Sequence, residues 1–172
     1  MSKLFTISDT HFGHTNILKY EPDYRPFDNV HEMDQFMIEQ WNSVVGPNDT
    51  TIHCGDFGFG GIQNITNIFS KLNGKIILIK GNHDRMSNSK LQRIGFSQVY
   101  KTLCCGTFVF SHSPLQNGDI PPNMINIHGH THSKPTPTLD PTTHWNVSVE
   151  MVNYTPVELQ LNLLECEHRG GK

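Results

Sequence analysis

Nine side chains able to bind a metal or carry a proton stand just beyond short apolar runs of this sequence. Asp9 and His11 follow LFTIS (residues 4–8), and Asp56 follows TTIHC and a glycine. Asn82, His83 and Asp84 come directly after KIILIK (75–80) and Gly81; His112 follows FVFS; His130 and His132 follow INIH and Gly129. A single Asp or Asn after a strand is ordinary turn chemistry. Five strand ends carrying such groups in order point instead to one shared site, because open α/β sheets bind ligands at the carboxyl ends of their strands. Mixed carboxylate, amide and imidazole donors suit borderline divalent ions such as Mn, Fe, Zn, Co or Ni better than Ca or Mg. No cysteine joins the set, which argues against a structural thiolate zinc site. Residues i and i+2 of an extended chain face the same way, so Asp9 with His11, and His130 with His132, are expected to aim two donors at one point. Gly55, Gly81 and Gly129 would let the backbone turn sharply beside them. The chain holds 11 histidines against 13 Lys plus Arg, an abundance in keeping with metal binding and proton transfer near neutral pH.

The elements that must position these groups alternate in the first half. Strands are expected over Leu4 to Ser8, Thr50 to Cys54 and Lys75 to Lys80. A helix is read from Val30, Met33, Met37, Trp41 and Val44 at helical spacing, opened by an Asn29/Glu32 capping box and stopped by Gly46-Pro47. A second is read from Ile62, Ile65, Phe69 and Leu72, ended by Asn73-Gly74. Strand–helix–strand order predicts a parallel sheet with right-handed crossovers. Beyond residue 99 the pattern turns to short strands: Val99 to Leu103, Thr107 to Ser111, Met124 to His128 and Trp145 to Glu150, with a further strand favoured in TPVELQLNLLE. HSKPTPTLDPTTHW reads as a loop, and the tail 167–172 as disordered.

At 172 residues, 35% hydrophobic and 17% charged, the chain suits one soluble globular domain. A formal net charge of −3 with scattered basic residues gives no track for a long polyanion. The four cysteines (Cys54, Cys104, Cys105, Cys166) lack framework spacing and are expected as free thiols in a reducing compartment. The N-terminus is too short and polar for a signal peptide, and no run approaches a membrane span, so a cytoplasmic, membrane-free protein is expected.

The order D-x-H, G-D, G-N-H-D, H, G-H-x-H resembles that of the calcineurin-like metallophosphoesterases. It is carried here by Asp9-Thr10-His11, Gly55-Asp56, Gly81-Asn82-His83-Asp84, His112 and Gly129-His130-Thr131-His132. HFGHTNI and the compact length are similar to the small single-domain bacterial or phage members. The resemblance implies a four-layer αββα fold, with two mixed sheets packed face to face and flanked by helices, over residues 1–172 as one domain. It implies two divalent cations per chain, Mn2+ favoured and Fe, Zn, Ni or Co possible. One would take Asp9, His11, Asp56 and His132; the other Asp56, Asn82, His112 and His130, so that Asp56 bridges. It further implies that His83 faces the substrate and that Asp84 orients His83.

On that basis a metal-bridging hydroxide is expected to attack phosphorus in line, with His83 as imidazolium protonating the leaving oxygen and Asp84 fixing its tautomer. The expected activity is a phosphodiesterase acting on a small nucleotide or cyclic nucleotide. The alternatives are a phosphomonoesterase or phosphoprotein phosphatase, a nuclease, and an inactive binding scaffold; GDFGFGG lacks the extended G-D-x-x-D-R-G block of the phosphatases. His14, Arg25 and Arg85 are candidate phosphate or leaving-group contacts, with a core or loop histidine, an ion pair and an outward-pointing side chain as the respective alternatives. His53 and His128 are expected in the core, and His31, His144 and His168 at the surface. Residues 57–61, FGFGG, line a substrate pocket or form a flexible loop; no Gly-Lys-Ser/Thr follows, so they are not a P-loop.

Overall fold

A computed structural model of the chain describes residues 2–160. Strands β1 (Leu4–Ile7), β2 (Thr50–His53), β3 (Lys75–Ile79) and β4 (Gln98–Tyr100) run parallel in the order β4-β3-β2-β1, and β9 (Val157–Leu159) closes the far edge antiparallel to β1. Helices α1 (Ile17–Tyr20) and α2 (Val30–Val44) lie between β1 and β2; α3 (Gly61–Phe69) links β2 to β3, and α4 (Asn88–Ile94) links β3 to β4. A second sheet has the order β5-β6-β7-β8, from β5 (Thr102–Cys105), β6 (Phe108–Ser111), β7 (Ile125–His128) and β8 (His144–Asn146). Its β5/β6 pair is antiparallel and the others parallel, so both sheets are mixed.

The central strands of the first sheet are buried on both faces, and successive side chains divide between two cores. Phe5, Ile7, Ile76 and Leu78 meet Met33, Met37, Trp41, Ile65, Ile68 and Leu91 from the helices. Leu4, Ile52 and Ile79 meet Leu103, Phe110 and Ile127 of the second sheet. The two sheets therefore pack face to face, with helices outside the first. The expected α/β arrangement of two mixed sheets packed face to face is thus seen, with the described α-helices packed on the first sheet.

Helix α2 starts as expected: the Asn29 side chain accepts from Glu32 N at 3.0 Å. The reciprocal half of the box moves back one residue, since Glu32 accepts from Asp28 N. On the core face Ile38 takes a place expected for Val44, which is exposed. Helix α4 was not foreseen, although Ser87 caps it and Gly95 ends it; seven residues give the apolar period too little length to register. The single strand read over Val99 to Leu103 is two. Exposed Lys101 separates β4 of the first sheet from β5 of the second, and a continuous β pattern carries no mark of such a crossing. The expectation of four free thiols is corrected at Cys105, which is disulfide-bonded, while Cys54 and Cys104 are free; sequence spacing does not report which sulfurs meet in space. Cys166 and the 167–172 tail lie outside the described residues. No helix among the described residues is long and apolar enough to cross a membrane.

Trp41 anchors the helical core, 1% exposed, with its indole N–H donated to Asn73 O at 3.0 Å. Replacing a buried aromatic by alanine removes its burial and leaves a cavity. Trp41→Ala is expected to lower the unfolding free energy by about 3–5 kcal/mol, measured by urea denaturation.

Candidate metal centre

Beyond the carboxyl ends of β1, β2, β3, β6 and β7 the polar side chains converge. Asp9, His11 and His132 form one trio of donors and Asp56, His112 and His130 another, the ligand atoms of each trio lying within 4.8 Å of one another. In the first, His11 Nε2 and His132 Nε2 stand 3.9 and 3.7 Å from Asp9 Oδ1. In the second, His112 Nε2 lies 3.4 Å from Asp56 Oδ2 and 3.1 Å from His130 Nδ1, with Asn82 Oδ1 at 2.9 Å. Asp56 Oδ2 is also 3.6 Å from His11 Nε2, so this one oxygen reaches both trios.

Asp9 Oδ1 and His11 Nε2 are buried without a hydrogen-bond partner. Orphaned buried polar atoms are costly and rare, and two of them facing each other across 3.9 Å fit a site whose partner is a cation. The rings are held in matching orientation. Nδ1 of His11 is engaged by His14, Nδ1 of His112 by the Cys54 carbonyl and Nδ1 of His132 by Glu150, which leaves each Nε2 for the centre. Such outer contacts set the tautomer and aim of a metal-binding imidazole.

The backbone carries strain at the same positions. Asp9, His11, Asp56, His130 and His132 all have positive φ, between 49° and 69°. Left-handed backbone at non-glycine residues costs of order 1 kcal/mol each and gathers at functional sites. The expected route to convergence is thus corrected: these pairs meet through left-handed turns just past the strands, and not through the alternation of extended chain. The glycines divide likewise. Gly55 has φ of 98°, a turn that glycine suits. Gly81 and Gly129 serve by lacking a side chain: a Cβ would sit 2.2 Å from Asp56 Oδ1 at the first and 2.0 Å from Asp9 Oδ2 at the second.

Protonation follows the packing. Burial, then the Arg25 charge, drives His11 down to about 2, so it stands neutral, the form in which an imidazole nitrogen offers a lone pair to a cation. Burial also works against charge at His112, but the Asp56 hydrogen bond and the nearby carboxylates outweigh it and raise His112 to about 9. For Asp56 burial favours the neutral acid, yet His112 and the His83 amide hold it down at about 2. His112 and Asp56 thus form a charged pair whose proton a cation would displace.

The family model for calcineurin-like phosphoesterases matches residues 2–167 of this chain. The chain belongs to that family. Uncharacterized protein MJ1445 of Methanocaldococcus jannaschii is 37% identical over 167 residues, 94% of this phosphoesterase and 89% of the relative. Gene 66 protein of Mycobacterium phage L5 is 32% identical over 87 residues, 49% of this chain and 41% of the relative. Among solved structures, the Aquifex aeolicus protein of unknown function AQ665 superposes with TM-score 0.73 at 25% identity, covering 92% of this chain and 96% of that one. The Pseudomonas putida nuclease MPE gives 0.51 at 17% identity, over 75% and 61% of the two chains, a likeness of fold alone.

The remaining candidates of this phosphoesterase go to different places. His83 is partly exposed at the mouth of the centre, its Nε2 4.0 Å from Asp56 Oδ2. Asp84 is buried, and it accepts from the amides of Asp56, Gly81 and Phe57 at 2.8, 2.9 and 3.1 Å. The expected bond from Asp84 to His83 is not among those it makes; Asp84 shapes the loop that presents His83. His14 stands on the rim, its ring stacked on Phe59 at 3.9 Å. Arg85 is exposed and lines a cleft beside His83. Arg25 as a phosphate contact is corrected: it is 1% exposed, walled off from any substrate. Its guanidinium donates to the Asp9 and Thr10 carbonyls at 2.6 and 3.1 Å and to Glu150 Oε1 at 2.6 and 2.7 Å. It thus satisfies the carbonyls of the strained Asp9-Thr10 turn from beneath. His53 and His128 are core residues, with Thr10 and the Gly129 carbonyl as respective partners.

Two contributors were missed. Glu150 Oε1 accepts from His132 Nδ1 at 2.9 Å while held by Arg25, and Ser148 Oγ lies 3.0 Å from Asp9 Oδ2. Neither occurs in a motif; only the long-range packing of the 146–150 segment against the β1 end reveals them.

Removing one partner of a buried ion pair strands the other charge. Arg25→Met is expected to cost about 3–5 kcal/mol of stability by urea denaturation. Glu150→Gln should weaken Mn2+ binding roughly 10–100-fold in calorimetric titration. Gly129→Ala should push the Asp9 carboxylate aside and reduce bound metal per chain, read by elemental analysis.

Proposed function

We propose that this phosphoesterase is a single-domain, cytoplasmic, dinuclear-metal phosphodiesterase acting on a small nucleotide, with Mn2+ as the favoured ion. The observation that carries this reading is the meeting of two donor trios at Asp56 Oδ2, beside orphaned Asp9 Oδ1 and His11 Nε2. Asp9, His11 and His132 would hold one cation, Asn82, His112 and His130 the other, and Asp56 both. Oxygen and imidazole donors without thiolate match Mn2+ and its borderline neighbours. Divalent cations in such a site supply Lewis-acid polarisation of the phosphoryl group and activate water.

The rest falls to the chain. His83 donates its amide to Asp56 Oδ1 at 2.8 Å and so orients the shared carboxylate. Its imidazole, 35% exposed, lies between Asp56 and the neighbouring cleft, where it can hold a proton for the departing oxygen. Asp84, by pinning three amides, keeps that ring at the mouth. A diester is favoured over a phosphoprotein monoester because GDFGFGG lacks the G-D-x-x-D-R-G block of the phosphatases.

Purified protein loaded with Mn2+ is expected to hold two ions per chain and to cleave bis(p-nitrophenyl) phosphate faster than p-nitrophenyl phosphate; the reverse preference would favour a monoesterase. His83→Ala should keep both ions and lose about 10²–10⁴-fold in kcat. The loss should be larger on alkyl than on aryl esters, whose departing oxygen needs a proton less. Equal losses on both would remove the proton-donor role.

A further inference from the structure

Next to His83 a cleft of about 560 Å³ opens between the 57–61 loop and helix α4, large enough for a nucleotide-sized group. Its base is apolar: Phe57, Leu91 and Phe96 line it and are each no more than 3% exposed. Phe59 and Met86, half-buried, also line it. The ring of Phe59 is already braced by His14 at 3.9 Å, a firm platform for a flat group. Two cations, Arg85 and Lys90, line the same cleft, both exposed. Neither forms an ion pair among the described residues. The one carboxylate in the lining, Asp84, is occupied by three backbone amides. An apolar slot with an unopposed pair of cations is complementary to an aromatic group bearing an anion.

Resting on the phosphodiesterase reading, we propose that this cleft is the leaving-group pocket and selects diesters whose departing nucleoside carries a second phosphate. The base lies against Phe59 and Met86, and the second phosphate meets Arg85 and Lys90. In the hydrolysis a water oxygen–phosphorus bond forms and the bond from phosphorus to the nucleoside oxygen breaks, its electron pair leaving on that oxygen. His83 gives this oxygen a proton and regains one that the attacking water has released. Cyclic mononucleotides, whose departing oxygen belongs to the same single-phosphate molecule, lack the second anion.

The test compares dithymidine monophosphate with its 5′-phosphorylated and 3′-phosphorylated forms, using the Mn2+-loaded protein. One phosphorylated dimer, the one whose extra phosphate sits on the departing side, is expected to show kcat/KM about tenfold above the plain dimer. In the double variant Arg85→Ala, Lys90→Ala this ratio should fall to near one. Equal rates on all three dimers, or a ratio that survives the double variant, would overturn the proposal. Binding reads the pocket without turnover. Thymidine 5′-monophosphate titrated into chelator-treated protein should shift the amide NMR signals of Phe59, Met86 and Arg85, with thymidine about tenfold weaker. Phe59→Leu, which keeps bulk but removes the stacking face, should weaken both. Nucleotide binding there without cleavage of any ester would sink the phosphodiesterase reading and leave the pocket; cleavage without nucleotide binding there would sink the pocket alone.

Discussion

Asp56 Oδ2 is the point on which the site turns. It lies 3.6 Å from His11 and 3.4 Å from His112, imidazoles that come from opposite sheets. One oxygen serving two donor trios demands that both sheets stay in fixed relation to within a few tenths of an ångström. The inter-sheet core supplies that relation. Leu4, Ile52 and Ile79 on one side and Leu103, Phe110 and Ile127 on the other are buried to 5% exposure or less. Close-packed interiors resist sliding, so the same apolar contacts that stabilise the fold also hold the carboxylate between its histidines.

Holding it there is costly locally. Five of the converging residues take left-handed backbone, and several acidic and imidazole groups are buried together. The compensation comes from beneath the site. Arg25 binds the carbonyls of Asp9 and Thr10 and shares Glu150 with His132. The buried cation thus ties a strained turn at the end of β1 to a histidine more than a hundred residues away. Asp84 does the same for the β2 and β3 turns through three amides. Two carboxylates stand side by side: Asp84 ends on three backbone amides, whereas Oδ2 of Asp56 ends between the imidazoles of His11 and His112.

The asymmetry of the mouth has a chemical consequence. On one side of His83 the surroundings are carboxylates and imidazoles; on the other they are Phe57, Phe59, Met86, Leu91 and Phe96. A phosphate ester has the same division, a charged phosphoryl group joined to an organic alcohol. On the proposed reading His83 would stand where the bond between the two lies, which is where a proton donor is useful.

Much of this was legible in the residues themselves. The three parallel strands, helices α2 and α3 and the polar groups at the strand ends follow from apolar period and from the order of the motifs. Those are local properties, and a chain states them directly. Tertiary structure alone decided the rest. Arg25 reads as a surface cation until Glu150 and two carbonyls are found around it, and Asp84 reads as a partner of His83 until the amides claim it. Lys101 is unremarkable until the strands on either side join different sheets. Each of these depends on which groups, far apart in sequence, end up within 3 Å of one another. Short spacings can specify a turn or a strand; they carry no record of which distant backbone group a side chain will meet once both are out of water.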